Sequence, residues 1–164
     1  MGNRHRGREL AFQVLFQMEQ GGHQDLHEVF MQFLPGQKAN PEAKEFARRL
    51  AEEAWPLQAE LDQALAAVSE NWDVKRFASV DRALLRLGAY ELLHRDDIPY
   101  EVTLNEAVEL AKAYGTDESP AFINGVLDML RKKNPRAKAG PSAKPGGDDP
   151  AAGGGPEDGE EEKD

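Results

Sequence analysis

The sequence predicts an all-α protein. Apolar residues recur at intervals of three and four along most of the first 133 positions, and helix-starting and helix-stopping residues separate those runs. No segment reads as a strand. Helices joined mostly by short loops make a helical bundle.

Taken in order, Ala11, Val14, Leu15 and Met18 carry the first stripe, so a helix is expected over about 9–20, ended by Gly21-Gly22. Ahead of it stand Arg4, His5, Arg6 and Arg8, read as a mobile basic arm. Such an arm is either solvated or binds phosphate, with an aromatic from the helix offered to a base. Asp25 and Glu28 are spaced as a capping pair for a helix that buries Val29, Phe30, Phe33 and Leu34 and stops at Pro35-Gly36. His23 and His27 are four apart, but Gly22 and the expected cap at Asp25 interrupt that face, and no carboxylate completes a metal signature.

Asn40-Pro41 is a strong helix start. Its stripe runs from Ala43 through Leu50 and continues past Trp55-Pro56 to Val68, which favours a kink at the proline. Glu42, Glu45, Glu52, Glu53, Glu60 and Asp62 read as its solvated side. A turn is expected over 70–73 and one short helical turn over 74–77. The stretch 79–97 is apolar around most of its circumference, the mark of a central helix, with Asp81 in its first turn. Thr103 and Glu106 are spaced as a capping box, and Gly115 is placed to end that helix in a left-handed conformation. Ser119-Pro120 opens a last helix closing on Arg131-Lys132-Lys133, in which Gly125 is expected at a close helix crossing. About seven helices result.

From Asn134 the composition turns to Pro, Gly and Ala with an acidic end, and this tail (134–164) is expected to be disordered. It holds four basic and eight acidic side chains, so −6 of the net charge of −10 stays on the rest. A negative total disfavours nucleic acid at long range, yet a local patch can still bind phosphate. With no cysteine, disulfides, thiolate catalysis and zinc–thiolate sites are excluded. Neither a signal peptide nor a membrane span is legible, so a cytoplasmic protein is expected.

The run Val80-Asp81-Arg82-Ala83-Leu84-Leu85-Arg86-Leu87-Gly88-Ala89-Tyr90-Glu91-Leu92-Leu93 resembles the NusB transcription antitermination factor family. So do Asp97-Ile98-Pro99-Tyr100, Asn105-Glu106-Ala107-Val108-Glu109-Leu110-Ala111-Lys112, Tyr114-Gly115 and Phe122-Ile123-Asn124-Gly125-Val126-Leu127-Asp128. The resemblance covers 4–133. It implies two small helical bundles packed together, roughly 1–70 and 71–133, that bind boxA-type RNA and pair with NusE, a ribosomal protein of the small subunit. The complex then joins other Nus factors on the elongating RNA polymerase.

On that resemblance Arg4, Arg6 and Arg8 match the RNA-binding arm, and Phe16 matches an aromatic position that is commonly tyrosine. Glu118 and Phe122 are expected to border the same RNA surface. Asp81 is expected to face NusE, with Arg82 and Arg86 flanking it. The arm departs from an unbroken arginine run, with Gly7 loosening any helix there.

No glycine-rich phosphate loop, Ser/His/Asp set or metal signature argues for an enzyme, and no cofactor is implied. Glu91, Asn105, Glu106 and Asn124 are read as polar groups satisfying one another where helices cross. Two other readings stay open: a protein–protein adaptor with a merely solvated arm, and a stand-alone relative of the NusB-like domain fused to some RNA methyltransferases.

Overall fold

The computed structural model describes residues 2–22, 25–69 and 73–134. The tail from position 135 onward, positions 70–72, where a turn is expected, and His23 lie outside them. Among the described residues the chain forms seven α-helices and no strand. They are α1 (Asn3–Gly21), α2 (Leu26–Phe33), α3 (Pro41–Ala54), α4 (Gln58–Ser69), α5 (Ser79–His94), α6 (Tyr100–Tyr114) and α7 (Ser119–Lys132). Short 3₁₀ turns lie at Leu34–Gly36, Trp55–Leu57 and Val74–Arg76.

Helix α1 packs chiefly on α3, while α5, α6 and α7 pack on one another. Helix α4 leans on α5 and α7, and α1 reaches α5, so one apolar cluster runs through the fold. The apolar girth of α5 explains its central place: Leu84, Leu85, Leu87, Ala89 and Leu92 are all buried, although they point in different directions around the helix. Burial of each leucine contributes about 1.5–3 kcal/mol relative to exposure.

Local signals set most boundaries. Asp25 accepts the Glu28 amide at 3.2 Å and Asn40 accepts the Ala43 amide at 2.9 Å, as their spacing requires. At Pro56 the single kinked helix gives way to two helices joined without a loop. The Trp55 amide still reaches the Ala51 carbonyl and the Gln58 amide reaches Trp55, so the chain keeps helical dihedrals through a tighter turn. Proline, lacking an N–H, sits inside that turn.

Five expectations are corrected. Helix α1 begins at Asn3 rather than near Glu9, so the basic arm is helical. Gly7 does not loosen it: a Cβ there would come within 2.6 Å of the Phe46 ring and 3.0 Å of the Ala43 carbonyl, so the glycine lets α1 approach α3. The close crossing of α7 is at Gly88, where a Cβ would meet Leu127 at 2.7 Å; Gly125 is exposed with nothing within 4 Å. Helix α6 starts at Tyr100, ahead of the supposed capping box, because Thr103 and Glu106 turn to partners on other helices. Gly115 keeps a negative φ of −99°, and its small size instead admits the Ser119 side chain.

Candidate nucleic-acid interface

Arginines two apart on a helix alternate between faces, so helical order in the first turns separates the three arm residues. Arg8 points inward. Its Nε donates to Glu91 Oε2 at 2.8 Å, and the two side chains are only 4 % and 2 % exposed. Glu91 Oε1 accepts from the Thr103 hydroxyl at 2.7 Å, and Glu106 stands 3.8 Å from Arg8 and 2.7 Å from His5. Of the polar residues expected at a helix crossing, Glu91 and Glu106 are in this network, whereas Asn105 and Asn124 are exposed.

Arg4 lies on the same side one turn earlier but is exposed. Its guanidinium sits 5.0 Å from the centre of the Phe46 ring, and that of Arg8 sits 5.4 Å from it. Partial burial, then the nearby positive charges of Arg8 and Arg95, push Arg4 below the usual arginine range. Arg95 is itself committed to Asp97 through two bonds of 2.9 Å. Arg4 makes no ion pair or side-chain hydrogen bond among the described residues. The carboxylates near it, Asp97 and Glu91, are paired with Arg95 and Arg8, so this exposed guanidinium is available to a phosphate.

Arg6 takes the other face. It pairs with Glu9 at 2.8 Å and donates to the Lys38 carbonyl at 3.2 Å, tying the helix to the connection before α3. Further along, the Tyr114 hydroxyl donates to Glu9 at 2.6 Å and accepts from Gln13 at 3.2 Å. Burial and the Glu9 carboxylate push the tyrosine up to about 12. Burial would raise Glu9, but the hydrogen bonds from Tyr114 and Arg6 hold it below the usual carboxylate range.

Phe12 is buried between Tyr114, at 5.0 Å between ring centres, and Phe16, at 6.0 Å. Phe16 is half-buried, and its position lies about 18 Å along α1 from Arg4. Phe122, also half-buried, meets Phe77 edge-on at 5.3 Å, and Glu118 is exposed at the start of α7. The structure thus spreads the expected RNA residues along α1 and the start of α7, and withdraws Arg8 from the surface.

Asp81 is half-buried, and its Oδ1 is enclosed without a hydrogen-bond partner. Arg82 and Arg86 do not flank it as free cations. Arg82 pairs with Glu19 and donates to the carbonyls of Lys75 and Phe77 at 3.2 and 2.9 Å. Arg86 grips Asp62 through two bonds of 2.8 Å.

Sequence reasoning passed over Phe46, Arg95 and Tyr114. Phe46 and Tyr114 looked like ordinary stripe residues, and nothing in the spacing placed Arg95 beside Arg4. No helix among the described residues is long and apolar enough to cross a membrane, and none of them form a group of three or more His, Asp or Glu able to hold a metal.

The NusB family model matches residues 5–132. A transcription antitermination protein NusB from Sorangium cellulosum is 46 % identical over 132 residues, covering 79 % of this chain and 92 % of that protein. Among solved structures, T. maritima NusB is 40 % identical with a TM-score of 0.73, covering 79 % of this chain and 91 % of that one. A crystal structure of antitermination factors NusB and NusE in complex with dsRNA is 28 % identical over 81 % of this chain and 98 % of its counterpart, also with a TM-score of 0.73. The family-model match takes in α2 to α7 and all of α1 after Arg4, and the chain belongs to the NusB family.

Proposed function

We propose that this chain is a transcription antitermination factor. It binds boxA-type single-stranded RNA together with NusE and joins the elongating RNA polymerase with other Nus factors, mainly in ribosomal RNA synthesis. It acts in the cytoplasm, without a cofactor and without catalysing a reaction. The observation that carries the reading is the exposed guanidinium of Arg4, which has no ion pair among the described residues and lies near Arg8 and Arg95, in a chain of this family. The relatives named antitermination proteins, and the related NusB–NusE assembly with RNA, support it.

Residues 1–133 form the working unit, as a bundle of roughly 1–70 packed on one of 71–133. Arg4 takes a phosphate directly, and Arg6, held by Glu9 and the Lys38 carbonyl, adds positive charge at the same end of α1. Such contacts supply affinity with little sequence information. Phe16 and Phe122 take unpaired bases on their ring faces, and Glu118 reads a base edge beside Phe122. Arg8 acts from within, locking the first turns of α1 to α5 through Glu91. Asp81 faces NusE through the exposed part of its half-buried carboxylate. Arg82 and Arg86 serve that face by holding α5 against α1 and α4.

The net charge of −10 favours one other reading, an adaptor with no substantial RNA affinity. A titration separates the two. With boxA-like single-stranded RNA and its duplex, with and without NusE, the single strand binds weakly alone and more tightly with NusE. RNA must tighten NusE binding by the same factor. No RNA binding in either case leaves the adaptor.

A further inference from the structure

The turn Val74–Arg76 presents two cations that the RNA-binding residues above do not include. Lys75 and Arg76 are both exposed, and among the described residues neither side chain has an ion pair or hydrogen bond. Every other arginine from Arg82 to Arg131 is committed to a carboxylate or a ring. The nearest acidic side chain in sequence, Asp73, is occupied: its Oδ1 accepts the Lys75 amide at 3.0 Å and so caps the turn. The next residue, Phe77, is buried and holds the half-buried Phe122 ring edge-on at 5.3 Å.

The turn is also fixed from beneath. Arg82 donates to the carbonyls of Lys75 and Phe77, at 3.2 and 2.9 Å, on either side of Arg76. The same guanidinium pairs with Glu19 on α1, and both side chains are largely buried. A buried arginine holding two carbonyls of one exposed turn sets where that turn's side chains begin. Because Glu19 stands fifteen positions beyond Arg4 on α1, the turn lies about 22 Å along that helix from the arm.

We propose that the turn Val74–Arg76 is a second phosphate-binding point for single-stranded RNA, with Arg82 as its positioning residue. Lys75 and Arg76 hold the backbone beside a base resting on Phe122, and the strand runs from there along α1 to Arg4. The inference rests on the RNA-binding reading above and adds the far end of the track. Adjacent uncommitted cations next to an aromatic ring are the pairing that single strands use, phosphate and base face together.

The test is a fluorescence titration of a boxA-like single-stranded RNA into the intact chain over a range of salt concentrations. Wild type is compared with the double variant Lys75→Gln/Arg76→Gln, with Arg82→Gln, and with all three changes combined. The double variant should lose affinity on the order of tenfold near ~0.1 M salt, and its log–log salt slope should shrink by about 1.4, two single-strand phosphate contacts. In the Arg82→Gln background the double change should cost much less, because the turn is already misplaced. Glu19→Gln replaces Arg82→Gln if the latter unfolds, and the exposed double variant stands independently of both.

A wild-type chain that binds no RNA overturns the RNA reading and this inference with it. Wild-type binding with an unchanged slope in the double variant overturns the inference alone. Loss of NusE binding without loss of RNA binding also overturns it, and makes the turn a protein contact.

Discussion

Arg8 and Glu91 stand 83 positions apart in the chain and form an ion pair at 2.8 Å, with almost no solvent on either side chain. The pair joins the first turns of α1 to the middle of α5. Two charges taken out of water must satisfy each other, because a lone buried charge is costly. Thr103 and Glu106 complete the set, and His5 is drawn in by Glu106. An arm that would otherwise be solvated becomes a rigid platform, and Arg4 projects from it.

Breaking that pair should unfold more than it frees. Arg8→Ala leaves Glu91 buried and unpaired, and should lower stability by about 3–5 kcal/mol. Urea unfolding followed by circular dichroism measures it. Replacing both partners together, Arg8→Met with Glu91→Leu, should cost less than either single change. If Arg8→Ala shifts the urea midpoint no more than Arg4→Ala does, the platform account fails.

Two glycines should respond in opposite directions to the same substitution. Gly7→Ala forces a methyl into the Phe46 ring and the Ala43 carbonyl, and should destabilise by about 1–3 kcal/mol. Gly125→Ala meets nothing within 4 Å on an exposed helical position, and should stabilise by about 0.5–1 kcal/mol. Thermal unfolding of the two variants checks the pair.

This contrast also marks how far the sequence could be read. Helix existence followed from the spacing of Leu, Val and Ala, and the cap residues Asp25 and Asn40 act as their types require. Distance between helices leaves no trace in spacing, so Gly7 looked like a breaker and Gly125 like a contact. Charge pairing across the fold is equally silent. Arg4 and Arg8 read alike in the sequence, yet only a fold that brings Glu91 beneath α1 separates an exposed cation from a buried one. Arg82 and Arg86 looked like surface charges because their partners Glu19 and Asp62 lie on other helices.

The Tyr114–Glu9 hydrogen bond gives a pH dependence with a definite sign. Glu9 is held below its ordinary value of 4.5, so its contribution is full above that pH and is lost as pH falls through the lower folded value. Tyr114 is raised from 10.0 to about 12, so its contribution is full below pH 10 and is lost as pH climbs through about 12. The stability difference between wild type and Tyr114→Phe should therefore be flat between these limits and shrink at both extremes. Urea midpoints across that range test it; a difference that grows toward acid contradicts the assignment.

Asp81 should separate binding from folding. Its enclosed oxygen has no partner to lose, so Asp81→Ala should change stability by about 1 kcal/mol or less. NusE affinity should fall about tenfold, as expected when a ~1.4 kcal/mol contact is removed. Calorimetric titration of NusE into the two proteins reads this directly. Unchanged affinity would remove Asp81 from the partner surface.

The most direct measurement is the salt dependence of boxA-like RNA binding to wild type and to Arg4→Gln, with thermal unfolding of both as control. If Arg4 holds a phosphate from the platform that Arg8 and Glu91 make, the variant keeps its melting temperature, binds more weakly, and shows a log–log salt slope smaller by about 0.7. Equal slopes and equal affinities in two equally folded proteins would contradict the account.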